Sequence, residues 1–65
     1  MEHDVIIVVM VRGEKRYVGL DRKRAKLIFV EDRLAARRFD PGTACVACEV
    51  IRARMTTQSI SLEDA

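Results

Sequence analysis

The sequence has few of the residues from which covalent scaffolds and reactive sites are built. Its 65 residues include no tryptophan, one tyrosine, one proline, one histidine and two cysteines. Two cysteines form at most one bridge, which excludes a disulfide scaffold. His3, Cys45 and Cys48 supply three of the four ligands that a zinc site needs, so we expect no metal site within one chain and no cofactor.

Long hydrophobic runs are also missing. The longest, Val5–Val11, has seven residues, whereas a membrane-spanning helix needs about 20. Glu2, His3 and Asp4 stand where a secretory leader carries basic residues. We therefore expect a cytoplasmic protein with no membrane partner. The length predicts a single small domain over residues 1–65, with a narrow stability margin.

Three strands are predicted in the first half of the chain. Val5–Val11 is almost entirely β-branched, which favours a strand over a helix. Gly13 then permits a tight turn, and weak alternation over Lys15–Leu20 indicates a second strand. A polar break separates it from a third strand, Ala25–Glu31. The pattern predicts a meander.

A short helix is predicted to follow. Asp32 is suited to cap the helix, because its carboxylate can accept a free backbone N–H of the first turn. The predicted helix covers Arg33–Phe39 and is too short to be stable alone. It would pack on the sheet through Leu34, Ala35 and Phe39.

A second, longer helix begins at a clear boundary. Asp40 is a good cap and Pro41 is favoured at the first helical position, so we predict a helix over residues 42–55. A strand over residues 45–55 is the rival interpretation. Residues 56–62 suit a final edge strand. The predicted fold is α+β, with a three- to four-stranded, mainly antiparallel sheet and both helices packed on one face.

The first strand is apolar on both of its faces. Side chains alternate along a strand, and one face carries Ile6, Val8 and Met10. The predicted helices cover one face, so we expect this second apolar face to associate with another copy or with a different protein. Strong sheet twist that lets the helices cover both faces is the alternative.

A basic block occupies residues 12–38, which carry ten Lys or Arg against four Asp or Glu. Six of these basic residues cluster at the two predicted turns and are candidate partner-binding residues: Arg12, Lys15, Arg16, Arg22, Lys23 and Arg24. Tyr17 lies between them and is a candidate for stacking on nucleic-acid bases. A solvated hairpin surface is the alternative interpretation.

Reactive groups form no recognisable arrangement. Cys45 and Cys48 are three residues apart near the start of a predicted helix, where packed cysteines are the favoured interpretation. A metal or disulfide between subunits and a redox pair are alternatives. His3 has no nucleophile placed with it by any sequence signature, so we expect no enzymatic activity.

Three short stretches resemble a known pattern. They are Lys15–Gly19, Lys26–Asp32 and Ala36–Asp40, read as Tyr-x-Gly, a hairpin, an acidic cap and Ala-x-x-Phe before a helix. Over roughly residues 15–55 this order is similar to that of small phage- or prophage-encoded proteins, some of which, including anti-CRISPR proteins, bind and block host proteins. That class shares no catalytic residues, so none is transferred.

The resemblance implies a non-enzymatic protein that binds and inhibits a host protein complex in the host cytoplasm. The expected partners are that complex or a second copy, as a homo-oligomer. Many anti-CRISPR proteins are acidic DNA mimics, whereas this chain has a formal net charge of +2, so mimicry is not implied. A small basic nucleic-acid-binding module and an accessory subunit with a role only in assembly are the alternatives.

Overall fold

The computed structural model describes residues 3–54 and 59–65 as one antiparallel sheet with one α-helix. The elements are β1 (Val5–Val11), β2 (Glu14–Asp21), β3 (Lys26–Val30), a 3-10 turn (Arg33–Ala35), α1 (Pro41–Arg54) and β4 (Ser59–Asp64). The strand order is β3-β2-β1-β4. The α+β class, the meander and the final edge strand are confirmed, and the rival strand over residues 45–55 is wrong. Residues 55–58, which include the predicted end of the second helix and the predicted start of the final strand, lie outside the described residues.

Two turns connect the first three strands. Arg12 and Gly13 join β1 to β2 and have φ angles of 53° and 80°, as a two-residue turn of the type I′ class requires. Four residues, Arg22–Ala25, join β2 to β3. There the Asp21 carboxylate accepts the backbone N–H of Lys23 at 3.1 Å, which holds the turn closed.

The main core lies between α1 and one face of the sheet. Ile7, Val9 and Val18 are fully buried there. The helix presents mostly small residues to the sheet, and they allow close packing; its buried residues are Ala44, Ala47, Cys48 and Ile51. Asp40 caps the helix as predicted, because its carboxylate accepts both the N–H and the hydroxyl of Thr43, at 3.1 and 2.6 Å.

The predicted short helix over Arg33–Phe39 is only partly present. Asp32 caps it as expected, accepting the N–H of Leu34 at 2.9 Å, but the 3-10 turn ends at Ala35. Leu34 is 92% exposed and does not pack on the sheet. Phe39 is buried, although it lies in an extended segment rather than on a helix.

The extended conformation of that segment has a structural cause. β1 and β2 are paired only as far as Val8 and Tyr17. Beyond that point, the Arg37 N–H donates to the Val18 carbonyl at 2.9 Å. Phe39 and Val5 exchange two backbone hydrogen bonds of 2.8 Å. Unpaired backbone groups on β1 and β2 are thereby satisfied, which a continued helix would not achieve.

The prediction that Ile6, Val8 and Met10 form an exposed association face is wrong in its premise. Ile6 is 3% exposed and Val8 is 4% exposed within the single chain, and Met10 is half-buried. The chain therefore covers both faces of β1 itself. The second face is covered by a different segment from the one predicted.

Residues 32–36, here called the covering segment, lie on the face of the sheet opposite α1. Val18 belongs to the core under the helix, so Gly19, its neighbour, faces the other side. A Cβ added at Gly19 would lie 3.3 Å from the Ala35 carbonyl oxygen. The prediction that both helices pack on one face is therefore wrong, because the 3-10 turn and α1 lie on opposite faces of the sheet.

Charged side chains extend this cover across β1. Ile6 pairs with Glu63 on β4, and Glu63 contacts Arg33 of the covering segment at 3.9 Å. Lys15 reaches the same carboxylate at 3.2 Å. Lys15 is paired with Met10, so its side chain runs from the Met10 position towards Glu63, which is paired with Ile6.

Candidate functional site

The two predicted groups of basic residues lie at opposite ends of the sheet. One surrounds the β1–β2 turn and the other forms the β2–β3 turn, with the eight residues of β2 between them. At about 3.4 Å per residue, β2 separates the turns by about 24 Å. The six predicted partner-binding residues therefore do not form a single surface.

Two of the three basic residues at the first turn, Lys15 and Arg16, form ion pairs within the chain. Arg16 forms ion pairs with Glu14 and, at 3.4 Å, with Glu31. The hydrogen bond and charge of Glu63 raise the pKa of Lys15 above its usual value. These contacts stabilise the fold, and they leave Arg12 as the residue of this group without an ion pair among the described residues.

Tyr17 is also engaged within the chain. Its side chain is half-buried, and the Lys15 ammonium lies 5.5 Å from the ring centroid, in a cation–π contact. The tyrosine lies in the middle of β2 and lines neither of the arginine-rich depressions found at the ends of that strand. Base stacking on Tyr17 therefore has no structural support.

The group at the second turn is joined by residues that the sequence analysis did not single out. An open depression of about 430 Å³ is lined by Leu20, Arg22, Ala35, Ala36, Arg37 and Arg38. We call Arg22, Arg37 and Arg38 the arginine cluster. Arg37 and Arg38 line the same depression as Arg22 because the Arg37 N–H donates to the Val18 carbonyl within β2.

Negative charge is scarce beside the arginine cluster. Within residues 3–54 and 59–65, none of its three members has a carboxylate within 4 Å. Asp21 holds the adjacent turn and lies 3.9 Å from Arg24. The Arg37 guanidinium lies 5.6 Å from the Phe39 ring centroid, which limits its freedom. The cluster therefore presents three adjacent positive groups to solvent.

The one sequence feature that could have identified Arg37 and Arg38 as candidate binding residues is that they form an adjacent pair of arginines. The pair lies in the basic block, but the predicted helix over Arg33–Phe39 gave no reason to place the two arginines beside Arg22. Their approach to Arg22 depends on a long-range backbone contact with Val18. Local sequence pattern carries no information about that contact.

The two cysteines have different environments. Cys48 is buried in the core under α1 and Cys45 is exposed, and both are free thiols. The prediction that both are packed is therefore right for Cys48 only. Burial raises the pKa of the Cys48 thiol, which lowers its thiolate fraction and its nucleophilicity at neutral pH.

Other reactive side chains are dispersed over the described residues. His3 contacts Asp64 at 2.7 Å on the surface. In the part of the chain that the structure describes, no three His, Cys, Asp or Glu side chains come together as a metal site would require. Among the same residues, no helix has the length and apolar character needed to span a membrane.

Comparisons with family models, with curated proteins and with solved structures found no match.

Proposed function

We propose that this chain is a non-enzymatic interaction protein of phage type, which binds an acidic surface of a host protein complex and blocks it. The arginine cluster is the binding surface. The supporting observation is that Arg22, Arg37 and Arg38 line one depression and have no carboxylate partner among the described residues.

The chemistry of the cluster suits a carboxylate-bearing partner. Each guanidinium group presents several N–H donors in a planar arrangement that can bind a carboxylate through two hydrogen bonds. Because all three arginines line one depression, an anionic partner bound there is attracted by three positive charges.

A neighbouring apolar residue favours a protein partner over nucleic acid. Leu34 is 92% exposed and directly precedes Ala35 and Ala36, which line the depression. A protein surface can bury this leucine, whereas a phosphate backbone gains little from it. The depression is lined by no aromatic residue, and aromatic rings supply much of the affinity for single-stranded nucleic acid.

The test compares two triple variants with the same change in charge. R22Q/R37Q/R38Q removes the arginine cluster, and R12Q/R52Q/R54Q removes three basic residues elsewhere. Each protein is titrated against poly-L-glutamate, a single-stranded oligonucleotide and a DNA duplex at several salt concentrations. Capture of partners from bacterial lysate, with and without poly-L-glutamate as competitor, is measured in parallel.

We expect the wild type to bind poly-L-glutamate and to capture a protein that the polymer displaces. We expect the cluster variant to lose affinity about tenfold, since exposed ion pairs contribute about 0.2–1 kcal/mol each and three are removed. Equal losses in both variants contradict the assignment of the surface. Preferential nucleic-acid binding with a steep salt dependence, lost only in the cluster variant, supports the nucleic-acid alternative instead.

A further inference from the structure

β3 is an edge strand, and its outer backbone groups have no hydrogen-bond partner among residues 3–54 and 59–65. It pairs with β2 on one side and occupies the end of the strand order β3-β2-β1-β4. The Val18 carbonyl accepts the N–H of Arg37, so the backbone groups of Val18 point away from β3. Phe29, which is opposite Val18, therefore points its own N–H and carbonyl away from the sheet. By alternation, Leu27 does the same.

This edge has few of the features by which proteins usually prevent strands from pairing with other chains. Four of its five residues are apolar, it contains no proline, and Lys26 is its one charged residue. Ile28 is 37% exposed. The opposite edge, β4, carries two serines and two acidic residues. Edges are usually protected by charges, prolines or bulges, so β3 is the edge suited to pairing.

An apolar depression continues the edge onto the helix side of the sheet. It has a volume of about 280 Å³ and includes Leu27, Phe29, Val50 and Ile51 in its lining. Val50 is 42% exposed. A strand added beside β3 would extend the sheet and would place its own apolar side chains next to this depression.

Charge is distributed unevenly along β3 and its flanks. Lys23, Arg24 and Lys26 lie at or before its N-terminal end, and Glu31 and Asp32 follow its C-terminal end. An antiparallel second copy reverses this order, so its acidic end lies beside the basic end of the first. The strand is thus complementary in charge to itself.

We infer that two copies of this chain pair through β3, antiparallel, about a twofold axis at Ile28. A twofold axis perpendicular to the sheet maps each face of the sheet onto itself. Residues that pair across the axis therefore lie on the same face, and residues on one face of a strand are an even number of positions apart. The numbers of two paired residues must then sum to an even value. With Ile28 opposite Ile28, Leu27 lies opposite Phe29, and these residues carry the outward backbone groups. Four hydrogen bonds form, and only apolar residues face one another at the centre. A register centred on Phe29 would place Leu27 opposite Glu31.

The dimer joins the two sheets into one of eight strands. This inference is independent of the proposed function, because the arginine cluster lies on the segment before α1 and on the β2–β3 turn, not along the paired edge. The sequence predicted association through the second face of β1, which is buried, whereas the structure favours association through the edge of β3.

Sedimentation equilibrium of the full chain over a range of concentrations tests the dimer. We expect the wild type to approach twice the 7.4 kDa mass of one chain as concentration rises. We expect I28K to sediment as a monomer, since two like charges would meet on the axis. V46K is the matched control, because Val46 is 61% exposed on α1, away from β3. A wild type that stays monomeric throughout, or an I28K variant that dimerises as well as V46K, overturns the inference.

A disulfide test fixes the register and does not depend on how Ile28 affects folding. In a C45S/C48A background, I28C places two sulfurs across a pair whose Cα atoms are about 4.5 Å apart, within bonding range of a disulfide. K26C places its two sulfurs about four residues, or roughly 14 Å, apart along the strands. We expect a covalent dimer under mild oxidation from I28C and not from K26C. Equal yields from both overturn the register.

Discussion

Two residues adopt a backbone conformation that their side chains disfavour. Arg12 has a φ angle of 53° and Ala25 one of 50°, in the left-handed region that costs an ordinary L-residue roughly 1–2 kcal/mol. Arg12 precedes Gly13 in the turn between β1 and β2, where asparagine followed by glycine is the preferred pair. Neither conformation was evident from the sequence, which predicted the first turn from Gly13 and the second from a polar break.

Replacing Arg12 by asparagine tests this strain. We expect R12N to raise the thermal unfolding midpoint, because asparagine tolerates the left-handed region and recovers part of that roughly 1–2 kcal/mol. Thermal unfolding followed by circular dichroism measures the change. R12K is the control that keeps the charge and the strain. An R12N midpoint equal to that of R12K would show that the turn is not strained.

Gly19 is required for a different reason, namely close approach of the covering segment. A Cβ at this position would lie 3.2 Å from a Val30 methyl carbon and 3.3 Å from the Ala35 carbonyl oxygen. Both distances are shorter than ordinary contacts. The backbone oxygen can move only with the covering segment, which protects Ile6.

We therefore expect G19A to destabilise the protein by about 1–3 kcal/mol, the usual cost of overpacking a tight site. Urea unfolding measures the loss. A25G is the useful comparison, since it also exchanges alanine and glycine but relieves a left-handed residue, and we expect it to stabilise. If G19A unfolds at the wild-type urea concentration, the covering segment does not pack against β2 as described.

At the level of elements, α1 depends on an ionised cap. The two hydrogen bonds from Thr43 lower the pKa of Asp40 below its ordinary value. A carboxyl whose folded pKa is depressed contributes stability above its unfolded pKa, and this contribution is lost as pH falls through the folded pKa. The cap therefore stabilises α1 at neutral pH and fails in acid.

We expect D40A to lower the unfolding midpoint at pH 7, because the N–H and hydroxyl of Thr43 lose their acceptor. The difference between D40A and the wild type should shrink below about pH 4, the ordinary range of an aspartic acid. D40N preserves an acceptor without a charge and separates capping from ionisation. A difference between D40A and wild type that does not change with pH would refute the role of ionisation.

The sequence predicted elements well where local chemistry decides them. β1 follows from its β-branched run, and α1 follows from Asp40 and Pro41. The covering segment was misjudged because Asp32 does begin a helical turn, while the extended course of Arg37 and Phe39 is decided by Val18 and Val5 across the sheet. Two of the three arginines of the candidate site were missed for the same reason. Arg22 was identified, whereas Arg37 and Arg38 join it only through that long-range contact.

At the level of the whole molecule, one small chain covers both faces of an apolar strand without a second helix. Ile6 and Val8 are buried, and their face also carries the close approach of Ala35 to Gly19 and the contacts of Glu63 with Lys15 and Arg33. Because Ile6 and Val8 are buried within the chain, this face of β1 offers little apolar surface for association. The edge of β3 and the arginine cluster are the two surfaces at which we propose binding.

The position of β4 beside β1 has a kinetic consequence. β1 pairs with β4 over six residues, yet residues 12–58 separate the two strands, and a ribosome adds only about 5–20 residues per second. The most apolar strand of a nascent chain therefore waits for seconds with one edge open. We expect chains truncated before Ser59 to aggregate, which light scattering during refolding would detect, and we expect full-length chains to refold with a yield that falls as their concentration rises.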